Sequence, residues 1–286
     1  MISREQLKAH IRKKAKELSL NSNMILRHVT FDFFLEKLAK TMYANCFIIK
    51  GGFLVSASTM INLRTTMDID ITLKSLSMQK DDLSKYIIDI LTTPTRDLLV
   101  MNLIGIEEIH SDADYPGYRA SIAVDYDGFK EVIKIDFTTG DQITPREVNF
   151  MYKKMIDEQI IGLKSYNLET VLAEKMETIF SRGVLNTRMR DFYDVYILWH
   201  LKECHINKHQ LQQAFMNTAK YRKSLDIVLP NIHTIIDTIE IDNRMIQLWT
   251  SYQSNYPFAK EIEWEQTIHT IRTIVEIITH TFQTSV

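Results

Sequence analysis

Residues 48–73, IIKGGFLVSASTMINLRTTMDIDITL, decide the reading of this chain. They read as an apolar strand, a turn at Gly51-Gly52, a helical segment and a second apolar strand carrying Asp68 and Asp70. Side chains two apart on a strand share a face. Asp68 and Asp70 therefore form one acidic pair, while Met67, Ile69 and Ile71 point the other way. Carboxylates held side by side repel unless they share a cation. Mg²⁺ takes hard oxygen ligands, commonly one or two carboxylates together with substrate phosphates. The glycines just upstream allow backbone N–H groups to approach a phosphate with no Cβ in the way. A phosphate cradle followed by a DxD strand is what nucleotidyl transfer needs. DxD alone also occurs at solvated strand ends and at the sugar-nucleotide metal site of glycosyltransferases, so the neighbouring motifs carry weight.

A third carboxylate strengthens the pattern. In VIKIDF, residues 132–137, Ile133, Ile135 and Phe137 alternate with Lys134 and Asp136. Placing this strand beside the DxD strand would bring Asp68, Asp70 and Asp136 onto one sheet face, a triad able to hold two Mg²⁺ ions. One ion would lower the pKa of an attacking hydroxyl, and the other would neutralise the triphosphate.

The next constellation is ETVLAEKMETIFSRGVLNTRMRDFYDVYIL, residues 169–198. Lys175 and Arg182 share one helix face, and Leu172, Met176 and Ile179 supply an apolar one. Arg188, Arg190, Asp191 and Asp194 cluster where the next helix begins. Acidic groups are favoured at a helix N-terminus, so capping and surface ion pairing account for both aspartates. The functional alternative makes Lys175 and Arg182 triphosphate contacts, Lys as a point charge and Arg as a planar fork. Asp191 would then orient Lys175 or the nucleophile.

Composition narrows the remaining classes. With 286 residues, 45% hydrophobic and 24% charged, the chain is long enough for one large core or two moderate ones. A net charge of −2 leaves no global nucleic-acid footprint. The basic run Arg4, Lys8, Arg12, Lys13, Lys14 and Lys16 reads first as a solvated helix face, with an RNA-facing patch as the alternative. Two cysteines, Cys46 and Cys204, exclude a disulfide framework, and Cys46 is expected to be buried and inert. No signal peptide is visible and no apolar run nears the ~20 residues that span a bilayer. The expected setting is the cytoplasm, with no membrane partner.

Secondary-structure signals divide the chain. Ser3 to Gln6 resembles a capping box, and a second helix is expected over residues 24–44. Strands follow over 98–109 and 118–125, with a hairpin turn at 125–128. Beyond residue 160 strand signals thin out. Helices are expected over 168–181, 191–201, 209–219, 232–239, 245–254 and 264–282, with Pro230 and Pro257 as punctuation. The expected fold class is α/β (α+β): a mixed-sheet catalytic domain with N-terminal helices over 1–160, then a helical domain over 161–286.

The motifs together resemble the AbiEii/AbiGii-type nucleotidyltransferase toxins of bacterial toxin–antitoxin and phage abortive-infection systems. The matching residues are Lys50-Gly51-Gly52, RTTMDID from Arg64 to Asp70, KID from Lys134 to Asp136, Ala173 to Lys175 and RDFYD from Arg190 to Asp194. The resemblance implies a nucleotidyltransferase fold with a helical C-terminal domain, an NTP substrate, Mg²⁺ and nucleotide addition to the 3′ end of tRNA. It implies an antitoxin partner that need not form a stable complex. By the same resemblance Asp68, Asp70 and Asp136 are metal ligands and catalytic, with Lys175 and Asp191. Lys50, Gly51, Gly52, Arg64, Arg182 and Arg190 are phosphate or NTP contacts. One departure is Phe53, standing where many relatives carry a small hydroxyl residue. Two other readings stay open: transfer to a protein or small-molecule hydroxyl, and a regulatory module that binds NTP without turnover.

Overall fold

A seven-stranded mixed sheet organises the first part of the chain, in the order β3-β4-β5-β2-β1-β7-β6. The computed structural model describes residues 4–18, 20–59, 66, 68–95, 99–109, 117–126 and 129–280. Ser3, Met67, Leu98, the 127–128 turn and Phe282, all named above, lie outside these residues. The strands are β1 (Phe47–Lys50), β2 (Asp68–Leu73), β3 (Val100–Ile109), β4 (Gly117–Tyr126), β5 (Phe129–Thr139), β6 (Val148–Lys153) and β7 (Ile160–Ser165). Helices α1 (Arg4–Leu18) and α2 (Ser22–Ala39) precede the sheet; α3 (Gly51–Thr59) and α4 (Lys80–Thr92) interrupt it. Here α2 stops at Ala39, short of the expected residue 44, and Met42–Asn45 form a 3-10 turn. Cys46, which follows that turn, is half-exposed rather than buried.

The two faces of the sheet differ in chemistry because its strands alternate in register. Ile49 pairs with Ile71, Ile71 with Phe137, and Ile69 with Ile135, which in turn faces Ala120. These residues are fully buried on one face, together with Phe47, Ile122 and Ile133. Helix α2 covers this face: its Phe33 stacks on Tyr126, and Arg27 donates to Glu131 at 2.7 Å. Each Ile or Phe buried there contributes roughly 1.5–3 kcal/mol. The opposite face carries Asp68, Asp70, Lys134, Asp136 and Arg119.

The β6–β7 hairpin was not legible as strands. In β6 only Tyr152 is buried, and in β7 the buried positions are Ile161, Leu163 and Ser165. The hairpin is held to the sheet by non-local pairing, with Ile48 opposite Lys164 in parallel register. It is also held by a polar anchor. Asp32 of α2 accepts hydrogen bonds from the Tyr152 hydroxyl at 2.5 Å and the Met155 N–H at 2.7 Å. Burial pushes the Asp32 carboxyl up to about 7 in spite of these donors. Lys154 bridges to Glu36 at 2.6 Å beside it.

The chain divides into two units, residues 1–140 with 148–165, and 141–147 with 166–286. The sheet therefore continues through β7, past residue 160. The short segment 141–147 joins the helical unit for a local reason. Thr144 donates its N–H to Thr170 Oγ1 at 3.1 Å and accepts from Asn167 Nδ2 at 2.6 Å. Asn167 also caps α5 (Leu168–Arg182) by accepting from Thr170 N–H.

The helical unit comprises α5 (Leu168–Arg182), α6 (Met189–Lys202), α7 (Lys208–Tyr221), α8 (Leu225–Ile241), α9 (Asn243–Asn255) and α10 (Trp264–Thr279). Its core includes Leu172, Met176, Phe192, Phe215, Trp249 and Ile271. Pro230 does not end a helix: α8 runs through it. Proline removes one backbone donor there. Val228, Ile232, Ile236 and Ile239 keep one buried stripe along α8 and hold the helix across that defect. No helix among the described residues is long and apolar enough to cross a membrane.

Candidate active site

The polar face of the sheet is built around one row of paired residues. Lys50 on β1 pairs with Asp70 on β2, Asp70 with Asp136 on β5, and Asp136 with Arg119 on β4. Paired residues point to the same face, so the row alternates cation, two anions, cation. The adjacent row places Asp68 opposite Lys134, and Lys134 opposite Ser121. Asp68, Asp70 and Asp136 thus share one face, and the buried isoleucines between them anchor the strands from behind.

Gly51 closes the row at its β1 end. It begins α3 directly after Lys50, with φ of +64°. A Cβ at this position would lie 1.9 Å from Asp70 Oδ2 and 2.6 Å from its Cγ. The space a side chain would need is occupied by the carboxylate. Glycine is thus required twice, for the left-handed backbone and for the close approach of Asp70. Phe53, two residues on, is 1% exposed and sits against Phe31 and Tyr152, with ring centroids 5.9 and 5.4 Å away. In this chain that position anchors the start of α3 to α2 and β6.

Asp136 is held differently from the other two carboxylates. Arg119 donates from Nε to Oδ1 and from Nη2 to Oδ2, each at 2.7 Å. The Asp136 carboxylate, reinforced by the charges of Asp68 and Glu107, holds the Arg119 guanidinium above its usual range. Arg119 escapes sequence reasoning because it belongs to no short motif; only strand pairing across β4 and β5 brings it to Asp136.

Arg119 thus pairs with Asp136, one of the three carboxylates expected to hold a metal. Among the described residues no group of three or more His, Cys, Asp and Glu side chains is placed to hold an ion. Both Asp136 oxygens accept from Arg119. Asp68 and Asp70, on one sheet face beside Gly51, fit Mg²⁺. That ion needs only one or two carboxylates when phosphates and water complete its octahedron.

The second constellation forms inside the helical unit. Lys175 of α5 reaches Asp191 Oδ1 at 3.0 Å and Asp194 Oδ2 at 2.5 Å, both on α6. Side-chain exposure is 11% for Lys175 and Asp191 and 0% for Asp194. The aspartates therefore clamp a buried ammonium rather than serving as surface caps; the α6 N-cap is Arg188. Asp194, absent from the expected site residues, is the most deeply buried member. Arg182, in the last turn of α5, is exposed and does not join this cluster, and Arg190 is half-buried in the first turn of α6. Arg64 lies outside the described residues. A cavity lined by Gln212, Met216, Leu229, His233 and His280 contains none of the expected site residues.

The burial of this cluster sets an expectation for Lys175→Met. Removing one partner of a buried ion pair typically costs about 3–5 kcal/mol, because a charge is left uncompensated. Lys175→Met should lower the unfolding midpoint strongly. Adding Asp194→Asn should restore part of the loss, a non-additivity read from denaturant unfolding of the single and double variants. Strict additivity would mean that the two groups are not coupled.

Comparison with known proteins gives the family. A family model described as "Nucleotidyl transferase AbiEii toxin, Type IV TA system" matches residues 34–276. The chain is a nucleotidyltransferase. It belongs to the AbiEii toxin family of type IV toxin–antitoxin systems, which implies an NTP substrate and an antitoxin partner. Two solved structures from H. pylori are similar. One is a proposed nucleotidyltransferase, 14% identical, with 91% of this chain and 96% of that one covered and a TM-score of 0.47. The other is JHP933, 14% identical, with 91% and 93% covered and a TM-score of 0.49. No curated protein matches the chain.

Proposed function

We propose that this enzyme transfers a nucleoside monophosphate from an NTP to the 3′ hydroxyl of an RNA, with tRNA as the acceptor, and so arrests growth. The observation that carries the reading is Asp68 and Asp70 on the polar sheet face, with Asp70 packed against the glycine that opens α3. Asp68 and Asp70 would hold Mg²⁺, and backbone N–H groups at Gly51 and Gly52 would receive the β and γ phosphates, with Lys50 beside them. When bound, Mg²⁺ lowers the pKa of a bound hydroxyl and neutralises phosphate charge. The acceptor oxygen would attack the α-phosphorus in line and form a new P–O bond. The bond to the β-phosphate bridging oxygen breaks and pyrophosphate leaves. The acceptor proton would pass to the Asp136 carboxylate. Catalysis here is mainly positioning and electrostatics. Arg64 would be a further contact of the phosphates.

In the cell this reading places the protein in the cytoplasm, as a toxin acting in phage abortive infection. The antitoxin counters it without needing a stable complex. The test is incubation with each labelled NTP and Mg²⁺, against separate pools of tRNA, other RNA, protein and small-molecule hydroxyl compounds. Label at the 3′ end of tRNA with pyrophosphate release is the expected result. Label only on protein or small molecules would replace the acceptor. Saturable NTP binding with no pyrophosphate under any condition would replace transfer with a regulatory role.

A further inference from the structure

Arg119 is placed where the proposed chemistry needs a cation to be displaced. Its fork covers both oxygens of Asp136, the carboxylate in register with Asp70. The Arg119 side chain is 29% exposed and lies on the polar face, whereas the core of β4 and β5 is on the other. The Asp136 side chain is 12% exposed, so the fork is part-buried with its guanidinium end reaching solvent. A divalent cation arriving at Asp68 and Asp70 would meet a guanidinium already in the field of Asp68. The divalent ion carries the larger charge and competes with the guanidinium for these carboxylates.

Resting on the reading of this face as the NTP site, we propose that Arg119 is its resident counter-ion. It gives up Asp136 to an incoming divalent cation and pairs instead with the triphosphate. Asp136 then becomes available as a cation ligand only as the nucleotide loads. Arg119 is suited to both partners, because its planar donors match carboxylate and phosphate oxygens equally well. The exchange couples the two ligands: the cation frees the guanidinium, and the phosphates stabilise it in its new position.

The coupling gives opposite signs for two probes, which a merely structural arginine would not. Binding of Mn²⁺ alone, and of inorganic tripolyphosphate at saturating Mn²⁺, is measured on the full chain and on Arg119→Gln. Mn²⁺ alone should bind the variant about fivefold tighter, the equivalent of a partly exposed ion pair removed from competition. Tripolyphosphate should bind it about tenfold more weakly, as expected for a lost charge-assisted contact. In an Asp136→Asn background the Mn²⁺ gain should vanish. Arg119→Lys, which keeps the charge and loses the fork, should fall between Arg119→Gln and the unmodified chain for both probes. Weaker or unchanged Mn²⁺ binding by Arg119→Gln overturns the exchange while leaving the NTP site standing. If the unmodified chain binds neither probe, the NTP site itself fails, and the exchange with it.

Discussion

Asp68→Ala and Asp70→Ala are each expected to abolish nucleotide transfer while leaving the protein folded. Both carboxylates are half-buried on the polar face, and the residues that hold β2 in place, Ile69, Ile71 and Leu73, point into the core behind them. Substitutions away from core packing usually change stability by about 0.5 kcal/mol or less. Removing one of three like charges from a single face can even raise it. Transfer depends on these groups differently. If they hold the metal that bears the phosphate charge, their loss removes stabilisation made mainly in the transition state. A fall of at least about 10³-fold is expected, equivalent to roughly 4 kcal/mol of barrier. Label incorporation at fixed enzyme concentration, with thermal unfolding of each variant as control, reads both quantities. A folded variant that transfers within about tenfold of the unmodified enzyme (about 1.4 kcal/mol) would remove β2 from the site.

Gly51→Ala is expected to disable the same site by a different route. Alanine at φ of +64° carries a left-handed penalty of about 1–2 kcal/mol. The larger effect is steric. The new methyl would fall 1.9 Å from Asp70 Oδ2 and 2.9 Å from its Cβ, so the aspartate must leave its position. Activity should drop to the level of Asp70→Ala, and the unfolding midpoint should fall as well. The origin of the loss can be isolated by making Gly51→Ala in an Asp70→Gly background, where no side chain is left to collide. The stability cost should then shrink to the backbone penalty alone. The same cost in both backgrounds would show that contact with Asp70 is not what demands glycine.

Much of this site is local in sequence, and that part was legible. Asp68 and Asp70 had to share a face because a strand alternates. The Gly-Gly pair was read as a place where backbone approaches a phosphate; that Asp70 packs against Gly51 was not foreseen. The KID strand stood out through the alternation of Ile133, Ile135 and Phe137, and it does lie beside the DxD strand, with Asp136 opposite Asp70. Helices of the second unit emerged from their apolar spacing. The errors share one cause. Edge strands β6 and β7 bury few side chains, so their pattern is weak, and their pairing with β1 is not encoded nearby. Pro230 was read as a break because propensity is local, whereas the buried stripe that carries α8 past it belongs to the tertiary core.

The sequence by itself determined the shared face of the carboxylates, the glycine position after β1, the strand faces and the family, since each follows from residue type and short-range spacing. Only the tertiary structure decided which charges meet. Arg119 and Asp136 lie on neighbouring strands, and their bidentate contact depends on the β4–β5 register. Lys175 meets both Asp191 and Asp194 because α5 and α6 pack together and bury all three, which turned two apparent caps into a clamp. Hydrophobic alternation announces itself along the chain because the faces it sorts are local. Ion pairing does not, because its partners are chosen by register and packing after the chain has folded.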